Sequence, residues 1–381
     1  MLPSNDFTVM TIVGTRPEII KLSCVMRELD ARVRHVLVHT GQNYDYELNE
    51  IFFKELELRS PDHVLSVVGE TLAETIGSII VKSDIVMERE RPDAVLVYGD
   101  TNSCLSVIPA KRRKIPIFHM EAGNRSFDMR VPEEVNRKIV DHTSDVNMTN
   151  SEHARRHLLA EGLRPELVMK TGSPMKEVLA RYEDNIARSD VHARLKIVPQ
   201  QYIVVSIHRE ENVDSDKHFS LLFETLNAMP ERYGLSVIMA MHPRTRKRLE
   251  AREDRVMDPR IQLLKPLGFF DYVKLQMDAY CVVSDSGTIT EESSLLRFPA
   301  VTIRNAHERP EGTDEGTLIM SGLRAPDVFR AIDIVVAQHR QNPSAFRIIP
   351  DYDVDNVSKK VARIILSYTG YVNRVVWRSE V

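Results

Sequence analysis

The feature that most constrains this chain is the alternation of short, almost wholly apolar runs with amphipathic stretches. "FTVMTIV" (7–13), "HVLVH" (35–39), "AVLVY" (94–98), "IPIFH" (115–119), "DVNMT" (145–149) and "VMKTG" (168–172) read as strands. Between them, "PEIIKLSCVMREL" (17–29), "TLAETIGSIIVKSDIVMERE" (71–90) and "SEHARRHLLAEGL" (151–163) read as helices. Ser151 is placed to cap the third of these, with Glu152 near its positive end. A strand that is apolar on both faces must be covered on both. Alternating helices supply those covers, so the pattern predicts a parallel sheet.

The alternation pauses over 183–201, "EDNIARSDVHARLKIVPQQ", which is charged and lacks a clear strand. It resumes with "YIVVSIH" (202–208), "LSVIMAM" (235–241), "IQLL" (261–264), "AYCVVSD" (279–285) and "PAVTI" (299–303). A chain of 381 residues exceeds one ordinary core and suits two α/β domains. The expected fold is two Rossmann-like, doubly wound domains over 1–175 and 176–355, with a cleft at the carboxyl ends of both sets of strands. A last helix within 356–381 is expected to pack back on the N-terminal domain.

Bulk properties exclude several classes. The formal net charge of −4 gives no basic field for nucleic acid. Cys24, Cys104 and Cys281 lie far apart, with neither metal-ligand spacing nor a disulfide framework. The opening residues lack a basic n-region and a long apolar run, and nothing approaches the ~20 apolar residues of a membrane span. These features predict a cytoplasmic protein with no membrane or metal partner.

The polar motifs fall where strands end. "GTRPE" (14–18) follows the first strand and places Arg16 and Lys21 beside a helix N-terminus, a natural anion site. "YGDTNS" (98–103) puts Asp100 after a strand, as an N-cap or a site carboxylate. "HMEAGNRSFDMRVPEEVNRKIVDH" (119–142) carries Glu121 at a strand end and Glu133 and Glu134 in the first turn of a helix begun by Pro132. In the second half, "SIHREEN" (206–212) sets His208, Arg209 and Glu210 after a strand. "SDSGTITEES" (284–293) opens a helix at Ser286 and Gly287, with Glu291 and Glu292 one turn on. Its backbone N–H groups suit a diphosphate, and a carboxylate one turn down suits ribose hydroxyls. "HERPEGTDEG" (307–316) offers Arg309 as an anion clamp. No G-x-G-x-x-G follows a strand and no P-loop is present, so a bound dinucleotide has no fingerprint and no cofactor is expected.

Taken in order, "GTRPEIIKL", "GDT", "HMEAGNR", "PEEVNRKIVDH", "HREEN", "SDSGTITEE" and "ERPEGT" resemble the non-hydrolysing UDP-N-acetylglucosamine 2-epimerase family over nearly the whole chain. The resemblance implies a glycosyltransferase-B-like fold with a UDP-sugar in the cleft. By it, Arg16, Lys21, Asp100, Glu121, Glu133 and His208 match active-site positions, and Arg137 a further cleft position. Ser286, Gly287 and Glu292 match the UDP-binding segment. Catalytic carboxylates then belong to the N-terminal domain and UDP to the C-terminal one. A homodimer is the expected assembly.

The chemistry accounts for the clustered carboxylates and cations. Inverting C2 of such a sugar is hard because no carbonyl acidifies that C–H. Breaking the C1–O bond and removing the C2 proton gives a 2-acetamidoglycal. This intermediate can take a proton on the opposite face and recapture UDP. The route needs cations and helix N–H groups for departing diphosphate, and carboxylates to move protons on two faces. Asp100, Glu121 and Glu133 form the expected acid–base set. A glycosyltransferase shares the fold and nucleotide site but needs an acceptor site, and a silent UDP-sugar sensor would not need the carboxylates.

Two departures bear on the sugar. Family members acting on UDP-N-acetylglucosamine usually read "GQH" where this chain has "GQN", with Asn43, in a region that helps bind an activating second UDP-N-acetylglucosamine. The loop Asn124–Val131 is slightly shorter than theirs and lacks their aromatic-proline run. Both departures resemble members of surface-polysaccharide pathways that convert UDP-2-acetamido-2,6-dideoxy-L-talose to UDP-N-acetyl-L-fucosamine. The parent activity, forming UDP-N-acetylmannosamine, is the alternative expectation.

Overall fold

The computed structural model describes residues 4–41, 46–207, 209, 212, 215–241, 257–304 and 309–379. Asn43, His208 and Glu210 lie outside the described residues. The chain forms two compact units, one made of residues 1–181 and 350–381 and the other of Tyr182–Ile349.

The first unit holds seven strands: β1 (Ser4–Val13), β2 (Val33–His39), β3 (His63–Val64), β4 (Ala94–Tyr98), β5 (Ile117–Met120), β6 (Val146–Thr149) and β7 (Val168–Lys170). They form one sheet in the order β3-β2-β1-β4-β5-β6-β7, with every pairing parallel. The sheet is covered on both sides, as the unbroken apolar strands require. Met10, Ile12, Val95, Val97 and Ile117 pack on one face with Ile79 and Val86 of helix Leu72–Glu90. Each such side chain, fully buried, contributes about 1.5–3 kcal/mol of transfer free energy. Helix Val357–Val375 returns to this unit and packs on helix Arg16–Arg32.

The second unit holds β8 (Tyr202–Ile207), β9 (Ser236–Met241), β10 (Ile261–Leu264), β11 (Cys281–Ser284), β12 (Ala300–Thr302) and β13 (Ile319–Met320). Their order is β10-β9-β8-β11-β12-β13, again all parallel. Residues 183–201, where no strand was legible, begin with two short helices, Glu183–Ala187 and Val191–Leu195. Val191 is fully buried against Tyr202 and Leu275. The edge strands β3 and β13, one in each sheet, have only two residues each, too few to show a period.

Both sheets reverse their winding direction once: at β1/β4 in the first unit and at β8/β11 in the second. In an open parallel sheet these switch points leave a crevice beyond the carboxyl ends of the strands, the usual place for a ligand. Among the described residues, no helix is long and apolar enough to cross a membrane.

Candidate functional site

At the first switch point, Gly14 and Thr15 follow β1 and helix Arg16–Arg32 begins. Glu18 lies in its first turn, where its carboxylate takes the Gly14 and Thr15 N–H groups at 2.6 and 2.7 Å. Arg16 lies with its guanidinium 5.7 Å from the centre of the Phe52 ring. One turn on, Lys21 is 1% exposed, yet its Nζ donates to Glu121 Oε2 at 2.9 Å. Two further donors meet that same oxygen, Tyr98 OH at 2.7 Å and Asn150 Nδ2 at 3.1 Å. Glu121 itself sits at φ +60°, an uncommon value for a residue with a side chain. The turn at the end of β5 is thus held in a conformation that aims its carboxylate at Lys21.

β4 ends in the turn Gly99–Asp100–Thr101. Gly99 has φ +75°, and a Cβ there would stand 3.7 Å from Glu121 Oε1. Asp100 is not the N-cap of the 3-10 turn that follows. Thr101 has that part, accepting the Ser103 N–H. The Asp100 carboxylate instead takes Arg137 Nε at 2.8 Å, and Arg137 Nη2 stands 2.7 Å from the same oxygen. Arg137 Nη1 donates to Glu134 Oε2 at 2.8 Å. Helix Pro132–Thr143 supplies both residues, and Pro132 starts it, as the sequence suggests. Glu133, in the same turn, is half-buried and makes no hydrogen bond or ion pair with the described residues.

The sequence reading missed the buried charges beneath this edge. Glu134 is fully buried and accepts the Ser126 N–H, the Ser126 hydroxyl and the Phe127 N–H. Burial opposes its ionisation, but these hydrogen bonds and Arg137 outweigh it and hold its carboxyl below the usual range. Arg125 is fully buried between Asp141 and Glu161. His119 Nε2 reaches Gly99 O at 2.8 Å and Nδ1 lies 2.9 Å from Asp141 Oδ1. Gly123 can turn here at φ +83° only because it lacks a Cβ, which would collide with the Ala154 carbonyl. The "PEE" pair and the three Arg of this segment were the available signals, but period alone does not tell which of two adjacent Glu points inward.

In the second unit, Arg209 follows β8 and Asp285 follows β11, on either side of the switch point. The Asp285 carboxylate, fully buried, accepts the Arg209 N–H at 3.0 Å and Asn212 Nδ2 at 3.1 Å. Ser286 and Gly287 lie just before helix Ile289–Leu296, whose N-cap is Thr288. Ser286 Oγ lies 3.0 Å from Thr288 Oγ1. Ser286, Gly287, Thr290, Arg304 and Arg309 line a small cavity of about 10 Å³ with Leu318 and Met320, roughly the space of one water. Arg309 reaches it while ion-paired to the buried Glu291. Glu292 is turned elsewhere, with Oε2 accepting Gln276 Nε2 at 2.7 Å. Ser286, Gly287 and Arg309 are therefore brought together, and Arg304 joins them without having been singled out in the sequence.

The first edge can hold a proton on carboxylates paired with cations, and the second can meet an anion with hydroxyls, backbone N–H groups and guanidinium. Comparison with known proteins agrees with that chemistry. The model of the UDP-N-acetylglucosamine 2-epimerase family matches residues 27–366. A UDP-N-acetylglucosamine 2-epimerase from Methanocaldococcus jannaschii is 33% identical over 345 residues, covering 87% of this chain and 93% of its own. A UDP-2,3-diacetamido-2,3-dideoxy-D-glucuronate 2-epimerase from Pseudomonas aeruginosa is 31% identical, covering 82% and 88%. Among solved structures, a UDP-N-acetylglucosamine 2-epimerase from Rickettsia bellii superposes with a TM-score of 0.91 at 53% identity, covering 98% of this chain and all of its own. The M. jannaschii enzyme in complex with UDP-GlcNAc and UDP superposes at 0.87 and 30%, covering 95% and 100%. Matched along nearly its whole length, the chain belongs to the UDP-N-acetylglucosamine 2-epimerase family and is a non-hydrolysing UDP-sugar 2-epimerase.

Proposed function

We propose that this epimerase converts UDP-2-acetamido-2,6-dideoxy-L-talose to UDP-N-acetyl-L-fucosamine, by elimination and re-addition of UDP through a 2-acetamidoglycal. The observation that carries the choice of sugar is the segment between the two carboxylate positions, Asn124–Val131. By the family resemblance read from the sequence, it lacks the usual aromatic-proline run before the paired carboxylates. Its first residues are drawn inward, with Arg125 on Asp141 and Ser126 on Glu134. Phe127 and Met129 are left 75% and 59% exposed. A shorter, apolar-tipped loop suits a 6-deoxy sugar better than one with a 6-hydroxyl.

In this reading Asp100, Glu121 and Glu133 move the protons. Removal of the C2 proton forms the C1–C2 double bond as the C1–O electrons leave with UDP. A proton returned to C2 on the other face, with UDP re-adding at C1, completes the inversion. Lys21 and Arg137 hold their carboxylate partners, Glu121 and Asp100, in place. Arg209, Arg309 and the turn Ser286–Gly287 are the UDP-binding groups of the second unit, with Glu292 as the carboxylate for ribose hydroxyls; Arg16 is the anion-binding cation of the first unit, and His208 is a catalytic residue. The N-terminal domain carries the carboxylates and the C-terminal domain binds UDP. The three buried free thiols fit a reducing cytoplasm. Exposed Val81 and Ile85, one turn apart on helix Leu72–Glu90, fit a homodimer face.

The alternative sugar, UDP-N-acetylglucosamine, is favoured by the names of the relatives, including the 53% identical R. bellii chain. NMR of each UDP-sugar with the protein in D₂O, without added dinucleotide, separates the readings. The expected result is turnover of the 6-deoxy-L-talo sugar with deuterium at C2, and little or none of UDP-N-acetylglucosamine, with no activation by it. Comparable kcat/KM on both would restore the alternative. Full retention of the C2 hydrogen would refute the mechanism.

A further inference from the structure

Arg16 and Lys21 lie on the helix after β1, and Asp100 lies on the turn after β4. Between them is Glu18, 2% exposed. Its two oxygens divide their work. Oε2 accepts the Gly14 and Thr15 N–H groups and the Thr15 hydroxyl at 3.1 Å. Oε1 accepts the Thr101 hydroxyl at 2.6 Å, with Cys104 Sγ at 3.8 Å. We propose that Glu18 is a positioning residue for the epimerisation, a buried carboxylate that fixes the Asp100 turn against the Arg16 turn across the first switch point. The inference rests on the proton-transfer role proposed above for Asp100.

An ordinary helix cap does not need this arrangement, and the chain contains one for contrast. At helix Leu72–Glu90, Glu74 is exposed and its Oε2 accepts the Glu70 and Thr71 N–H groups, all within one turn. Glu18 makes the same local contacts with one oxygen and spends the other on a residue 83 positions away. It does so at a cost in solvation, because burial raises its carboxyl to about 7 against the pull of Thr101, Gly14 and Thr15. Protonation changes the clamp. Backbone N–H groups cannot accept, so a proton on Oε1 must turn the Thr101 hydroxyl around. A charge-assisted bond then becomes a neutral one, roughly half as strong. The other ionisable groups near it are the Cys104 thiol, pushed well above its usual range by burial, Asp100 on Arg137, and Arg16 and Lys21 on the same helix, the latter on Glu121.

The test separates the bridge from the cap. Thr101→Val removes only the hydroxyl that reaches Oε1, and Thr101→Ser returns it. With the sugar that the wild type turns over, Thr101→Val is expected to lower kcat by about 10²-fold, the cost of misplacing a reacting group by roughly 1 Å. UDP affinity by calorimetry stays within about threefold, and Thr101→Ser recovers most of the rate. The wild type is expected to lose kcat as pH falls below about 7, where the Glu18 carboxyl takes up its proton, and Glu18→Gln to lack that acid limb. Wild-type kcat in Thr101→Val, a Thr101→Ser variant as slow as Thr101→Val, or an unchanged acid limb in Glu18→Gln overturns the inference. Failure of the wild type to turn over either UDP-sugar overturns the proposed function instead, and this inference with it.

Discussion

Replacing Arg137 by Met tests the buried charges under the candidate site. The Arg137 side chain is 4% exposed and that of Glu134 is fully buried. Met keeps much of the volume but leaves the Glu134 carboxylate without its cation. Breaking a buried pair from one side costs about 3–5 kcal/mol. Three donors remain on Glu134, so the lower end, about 3 kcal/mol, is expected at pH 7. At roughly 2–4 °C per kcal/mol for a unit of this size, the first thermal transition falls by about 6–12 °C. The sign with pH follows from the depressed Glu134 carboxyl. Its contribution is present above the ordinary pKa of 4.5 and lost as pH falls through the lowered folded value. The penalty of Arg137→Met therefore shrinks as pH falls below about 4.5. Urea denaturation at pH 7 and pH 4, alone and in a Glu134→Gln background, measures both effects. In that background the Glu134 charge is gone and only the pairing of Arg137 with Asp100 is still lost, so the penalty is smaller. An equal loss in both backgrounds, or no pH dependence, would refute the reasoning.

Asp100→Asn and Glu121→Gln should each lose about 10²–10⁴-fold in turnover while still binding UDP, measured by NMR conversion and calorimetry. Wild-type turnover in either removes that residue from the proton path. Arg16→Ala should weaken both UDP affinity and rate, and unchanged calorimetric affinity would leave Arg16 as a helix-start residue stacked on Phe52. Gly172→Ala should destabilise the first unit by at least about 1 kcal/mol in urea titration. Gly172 has φ +87°, and a Cβ there would stand 2.7 Å from Val354 Cγ2. A stability within error of wild type would refute that account.

The sequence by itself determined the parallel α/β architecture. Runs such as "AVLVY" are apolar on both faces, and only a sheet covered twice can bury them, so β4 appears at Ala94–Tyr98 as read. It also determined which polar residues gather at the carboxyl edge, because in a parallel sheet every strand delivers its following residue to the same side. Gly99–Asp100, Glu121 and Arg16 are such residues. Which partner each charge meets was settled by the packing of the folded chain. Asp100 could equally have capped a helix, and it is instead held by Arg137, 37 residues on. Of the adjacent Glu133 and Glu134, the second turned inward to hold the 126–127 turn, and of Glu291 and Glu292 the first took Arg309. Local periodicity records that a side chain is polar, but its pairing depends on strand order. The β1/β4 neighbourhood, which brings Glu18 to Thr101, exists only once the sheet has wound both ways from its switch point.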